Sequence, residues 1–237
     1  MAKSQSNAPR IERATTKLWV PYENKSIAFA HSSFGPGTYQ QVGKAILGAG
    51  LTLPTGDYTA SLVHPAYCSK LKGEPEFNDI REKMESNWLW VFNTPLWTDK
   101  GVYVVQDEKA QGISRKLSVN QLERMLRHGK EVHGLRFSED GRVRFAPKES
   151  YKLGEHTPES LAKDGFVIVS YDFEGAEKLG EVSEKLPNKP MTWGVEVNEG
   201  EKPELRVSAL VANYYGRLHV YGLYHVDSCY CHAFGVL

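Results

Sequence analysis

Apolar positions along this chain change their period several times, and the changes mark out a mixture of strands and helices. Leu18, Trp19 and Val20 precede Pro21 and predict a short first strand; Ser26–Phe34 is a second run of apolar and small residues. Thr38 and Gln41 form a capping box. Tyr39, Val42, Ile46 and Ala49 then share one helical face, and Gly48 and Gly50 suit the end of that helix. Residues 51–74 read mostly as loop, with a short strand or helix near Tyr58–Val63. A second helix is predicted from 75 to about 87, with Phe77, Ile80, Met84 and Trp88 on one side. Gly101–Asp107 reads as a strand. Ser118 and Gln121 form a second capping box, with a Leu117–Leu122 staple, a stripe of Leu122, Met125 and Leu126, and Gly129 as the stop. Leu135–Phe137 and Val143–Phe145 flank Ser138-Glu139-Asp140-Gly141 and predict a β-hairpin.

Further on, Thr157-Pro158 opens a short helix, with Thr at the N-cap and Pro at the first helical position. The run Phe166–Ser170 reads as a buried strand, after which Asp172 caps a helix carrying Phe173, Ala176, Leu179, Val182 and Leu186. Trp193–Val197 and Leu205–Leu210, joined by Asn198-Glu199-Gly200-Glu201, predict a second hairpin. Gly216–Tyr221 and Ala233–Leu237 close the chain as strands. Strands and helices follow each other without a βαβ rhythm, which predicts an α+β fold with mostly antiparallel pairing.

A chain of 237 residues with 41% hydrophobic residues, 24% charged residues and no net charge can bury a proper core. Neutrality without a basic block gives no electrostatic case for nucleic acid or an anionic membrane. No apolar run approaches the roughly 20 residues of a spanning helix, so no membrane insertion is expected. Residues 1–17 lack an apolar segment and read as a disordered leader rather than a signal peptide; residues 18–237 read as a single elaborated domain. Three cysteines cannot all pair within the chain.

Trp88, Trp90, Phe92 and Trp97 crowd around Pro95 and read as core, with a sugar-stacking platform as the sharper alternative. Gly35-Pro36-Gly37-Thr38 opens a helix, where backbone N–H groups can meet an anion, but two glycines there read first as a turn. The cluster His225-x3-Cys229-x-Cys231-His232 has zinc-ligand chemistry but not the usual C-x2-C spacing. A zinc-bound structural module would need Cys68, His219 or another distant residue. If Cys229 and Cys231 lie on one strand, both thiols point to the same face. A Cys–His nucleophile lacks a carboxylate partner other than Asp227.

The C-terminal stretch Arg206–Leu237 is unlike the rest. It holds tyrosines at 214, 215, 221, 224 and 230 and histidines at 219, 225 and 232, interleaved with Leu218, Val220, Gly222 and Val226. All 18 Lys, 21 Glu, 6 Gln, 4 Met and 5 Trp of the chain lie within residues 1–205. Those five types are the amino acids that no codon ending in C encodes. Tyr, Ser, His, Asn and Asp are the vocabulary of a recognition surface, because Tyr gives large contact area at low entropy cost.

This pattern resembles the variable proteins of diversity-generating retroelements, of the archaeal or archaeal-virus type. In that family a reverse transcriptase copies a template repeat with adenine-specific errors into the 3′ end of the target gene, turning AAC codons into NNC codons. The resemblance implies a C-type lectin fold, shared with formylglycine-generating enzymes. It further implies that 157–164 is that fold's first helix and that Val167–Tyr171 is a strand leading into the second. The implied varied, ligand-binding positions are Asn213, Tyr214, Tyr215, His219, Tyr221, Leu223, Tyr224, His225, Asp227, Ser228, Cys229, Tyr230, Cys231 and His232. Arg217, Leu218, Val220, Gly222 and Val226 would be the scaffold between them. The implied function is recognition of an unidentified protein or cell-surface ligand, without catalysis and without a cofactor. One carboxylate in the tail, Asp227, argues for calcium-independent binding. Two free thiols would fit a reducing or anaerobic setting. The resemblance is compatible with a protein carried on a virion or displayed through a partner. An oxidase-type enzyme on the same fold, using Cys229 and Cys231, is the alternative.

Overall fold

The computed structural model describes residues 8–12, 17–213 and 215–237. In chain order it opens with strands β1 (Arg10–Glu12), β2 (Lys17–Tyr22), β3 (Lys25–Ala30) and β4 (Phe34–Gly37). Helices α1 (Tyr39–Gly48), α2 (Gly56–Cys68) and α3 (Pro75–Ser86) follow. Next come β5 (Trp88–Val91), β6 (Asn93–Thr98), β7 (Gly101–Gln106), α4 (Val119–Leu126), β8 (Lys130–Val132), β9 (Leu135–Phe137), β10 (Val143–Pro147) and β11 (Gly154–Glu155). The last part holds α5 (Pro158–Ala162), α6 (Gly165–Ser183), β12 (Asn188–Trp193), β13 (Glu204–Leu205), β14 (Val207–Asn213), β15 (Arg217–Tyr224) and β16 (Cys231–Ala233).

Among the described residues the strands form three sheets. The first is β1-β2-β3, the second β13-β6-β7-β10-β9-β8, and the third β11-β12-β15-β14-β5-β16-β4. Pairing is antiparallel except for β12 with β15 and β16 with β5. The third sheet therefore joins the C-terminal strands to β4 and β5 from the first half of the chain. One of its faces packs on α3 and α6 through Leu89, Val91, Leu210, Ala212, Leu218 and Val220. Its other face carries Trp90, Val207, Ala209, Cys231 and Ala233 against Tyr39, Val42 and Ile46 of α1.

The local signals held where the chemistry was explicit. Thr38 and Gln41 cap α1 reciprocally, and Thr157 caps α5 with Pro158 at its start. The hairpin β9–β10 forms as expected, closed by the Ser138–Gly141 turn. The cap expected at Ser118 differs, because its side chain caps nothing and Met125 of α4 is exposed.

Three predictions are corrected. Residues 56–68 are a helix, far longer than the short strand or helix expected near Tyr58–Val63, and it is buried on most sides and therefore without an amphipathic period. Phe166–Ser170, and with it Val167–Tyr171, belongs to α6 rather than to a strand. Asp164 caps that helix through Val167 N–H, so the apolar run is one buried helical segment. Asp172 interrupts α6 at φ 59° and ψ −178°, and its Oδ1 accepts from Gly175 N–H, which restarts the helix where a cap was expected. The second hairpin does not form. The turn at Asn198–Glu201 exists, but β12 pairs in parallel with β15, and β13 pairs with β6. Within the expected leader, Arg10–Glu12 is a strand paired with β2, while residues 1–7 and 13–16 lie outside the described residues. No helix among the described residues is long and apolar enough to cross a membrane.

Candidate ligand-binding surface

β15 is the strand on which the tail is built, and it lies between β12 and β14. Alternation sends its side chains to opposite faces. Leu218 and Val220 are fully buried in the core shared with α3 and α6. Gly222 backs onto the same core. A Cβ there would lie 2.5 Å from Phe166 Cζ and 2.8 Å from the Trp97 ring, and Trp97 Nε1 donates to the Gly222 carbonyl at 2.7 Å.

His219 and Tyr221 take the opposite face, beside Trp193 of β12. Trp193 Nε1 donates to His219 Nδ1 at 2.8 Å, which makes that nitrogen the acceptor of a neutral imidazole. Burial, aided by the nearby Arg217 charge, lowers the His219 pKa from 6.5 to about 4. The Trp193 and Tyr221 rings lie nearly parallel, 5.7 Å apart with 6° between their planes.

A bulge then re-aims Tyr224. Ala209 is opposite Tyr221 and Val207 is opposite Tyr224, so two steps along β14 match three along β15. Simple alternation would send Tyr224 to the core side with Gly222. The extra residue brings it to the face of Tyr221 instead. Trp88 sits between the two tyrosines, 4.6 Å from Tyr221 and stacked 4.4 Å from Tyr224. The result is an aromatic row: His219, Trp193, Tyr221, Trp88, Tyr224. Tail residues alternate with tryptophans from the earlier part of the chain. Tyr224 Oη pairs with Ser228 Oγ at 3.3 Å, and burial pushes its phenol up to about 12.

The other expected positions divide. Leu223 and Ser228 are half-buried beside this row's end, and His225, Asp227, Cys229 and Tyr230 are exposed in the loop that follows β15. Tyr215 is 77% exposed in the β14–β15 turn, at the far end of β15. At about 3.3 Å per residue, the strand holds its two ends roughly 25 Å apart, so Tyr215 and the 225–230 loop are not one patch. Asn213 pairs in register with Arg217 at the end of β14, and Tyr214 lies outside the described residues.

Cys231 and His232 do not share the exposed face. Cys231 is fully buried in the cluster around Tyr39 and Trp90, and burial raises its thiol to about 12. His232 pairs in register with Leu89 and faces the α3 side, where its Nδ1 lies 3.3 Å from Ser33 Oγ. Its burial, with Lys83 nearby, lowers its pKa. Cys229 sits outside β16 and is exposed, so the two tail cysteines do not share a strand and are not a matched pair. Cys68 is on α2, grouped with His64 and Glu181 rather than with the tail.

The residues that sequence reasoning missed are Trp88 and Trp193. Trp88 read as core; it is half-buried, while Trp90, Phe92 and Trp97 are fully buried. The alternation of 88, 90 and 92 was visible, but nothing local marked which end would meet the tail.

No protein-family model matches the sequence, and no curated protein is significantly similar to it. A solved structure does match. It is a protein of Nanoarchaeota in which the C-type lectin fold accommodates massive sequence variation. The match covers 87% of this chain and 97% of that one, with a TM-score of 0.50 and 13% identity. The chain has the C-type lectin fold. Within this C-type lectin fold, the helices expected at 157–164 and after Asp172 are α5 and the second half of α6.

Proposed function

We propose that this chain is a binding protein whose C-terminal surface recognises a ligand and is diversified by a retroelement. The observation that carries the reading is the division of labour along β15. Leu218, Val220 and Gly222 fit the core and tolerate little change. His219, Tyr221 and, through the bulge, Tyr224 lie on the opposite face, His219 buried and the two tyrosines half-buried against the smaller cluster around Tyr39 and Trp90, so changes there leave the core beneath α3 and α6 in place and are absorbed by that smaller cluster. The exposed loop of His225, Asp227, Cys229 and Tyr230 extends this surface. The five residue types missing from Arg206–Leu237 agree with codons ending in C. Tryptophans 88 and 193 would serve as a constant aromatic floor for whatever tail residues are present. Binding would rest on a few aromatic anchors, and the ligand would be a protein or other cell-surface molecule.

A library tests this. Positions 215, 221, 223, 224, 225, 227, 229 and 230 are randomised together with NNC codons and displayed. The proposal expects that most members stay folded and that selection yields binders to unrelated proteins. Widespread unfolding of the library would contradict it. The oxidase alternative draws no support from one exposed and one buried thiol.

A further inference from the structure

The aromatic surface leaves one cluster of ligating side chains unused. His64 and Cys68 stand four residues apart on α2, a spacing that puts both on one face of a helix. Glu181 of α6 faces them. One ligand atom from each of the three lies within 4.8 Å of the others, and His64 Nε2 is 2.6 Å from Glu181 Oε2. Among the described residues this is the one such group of three His, Cys, Asp or Glu side chains.

We propose that His64, Cys68 and Glu181 bind a single zinc ion, clamping α2 to α6. The donor set is one imidazole nitrogen, one thiolate sulfur and one carboxylate oxygen, which are the three usual zinc ligands, with water as the fourth. Two negative ligands neutralise the ion's charge. The backbone beneath is held in place before any metal arrives. Gly56 of α2 meets the Ser170 carbonyl of α6 so closely that a Cβ there would lie 1.9 Å from it, and Gly175 of α6 approaches Ala60 of α2. Small rotamer changes are then enough to bring the three ligand atoms to zinc-bonding distance. The hydrogen bond between His64 and Glu181 gives way to two bonds to the ion, and binding releases the thiol proton of Cys68 to solvent. Zinc bound to the folded chain alone raises its stability by mass action.

The test uses the full chain, with zinc and cobalt salts as the probes. We expect one equivalent of zinc to bind and to raise the Tm. Cobalt in its place should show thiolate-to-metal charge-transfer absorption. That band should vanish in Cys68→Ser and persist in Cys229→Ser. His64→Ala and Glu181→Gln, both at partly exposed side chains, should weaken zinc binding at least tenfold, while the loss of their mutual hydrogen bond shifts the metal-free Tm by less than zinc raises it in the parent chain. No binding by the parent chain overturns the proposal. So does binding that Cys68→Ser, His64→Ala and Glu181→Gln all retain, which would mark an adventitious ion only. A charge-transfer band lost in Cys229→Ser but kept in Cys68→Ser overturns it as well.

Discussion

Trp97 donates its indole N–H to the carbonyl of Gly222, and its ring fills the space that a side chain at 222 would need. One tryptophan thus fixes both the height of β15 and the identity of a residue in the middle of the tail. Gly222→Ala must push Phe166 or Trp97 aside, and overpacking of this kind destabilises by about 1–3 kcal/mol. His225→Asn, three positions on and exposed, should change stability by no more than about 0.5 kcal/mol. Urea denaturation of the two variants measures the contrast.

Leu218 supports the same strand from the core side and is fully buried. Leu218→Ala should destabilise by about 2–5 kcal/mol, because the cavity forms under a packed sheet. Equilibrium unfolding checks this, and a loss below about 1 kcal/mol would show that β15 is not anchored as described.

Burial of the His219 imidazole beside Trp193, with the Arg217 charge nearby, predicts a pH dependence. The ring's pKa is about 4 in the fold and 6.5 ordinarily. The unfolded chain takes up the proton first, so this contribution to stability is complete above pH 6.5 and is lost as pH falls toward about 4. His219→Asn cannot titrate in that window. Denaturation at pH 7 and at pH 5 should show the parent chain losing more stability than the variant. Equal losses would mean that His219 is not held neutral.

The three thiols should react at different rates. Cys229 is exposed, Cys68 is partly buried, and Cys231 is fully buried with its thiol raised to about 12. Labelling under native conditions, read by mass spectrometry, should modify Cys229 first and Cys231 last.

Much of this architecture is legible from local chemistry. The capping box at Thr38, the N-cap at Thr157 and the Ser138–Gly141 turn act through neighbouring residues and appear where the sequence places them, whereas the box expected at Ser118 does not form. What was hidden depends on distant partners. Phe166–Ser170 is apolar throughout, and such a run reads alike as buried strand or buried helix. α2 is buried on most sides and so shows no periodic face. The Asn198–Glu201 turn is real, but the strands beside it find partners elsewhere in the chain. In the candidate surface, alternation along 218–222 puts Leu218 and Val220 on the side packed against α3 and α6, while His219, expected to face solvent, is buried on the other side beside Trp193. The bulge that re-aims Tyr224, and the burial of Cys231 and His232 in a strand beside β5, arise from pairing with β14 and β5. Neither is written in the tail itself.

The most direct measurement for the proposed diversification is the DNA sequence of the gene and its surroundings. The account predicts a nearby imperfect repeat of the bases encoding Arg206–Leu237, differing from it only where the repeat has adenine, with a reverse transcriptase gene alongside. Tail codons ending in many different bases, with no such repeat, would contradict it.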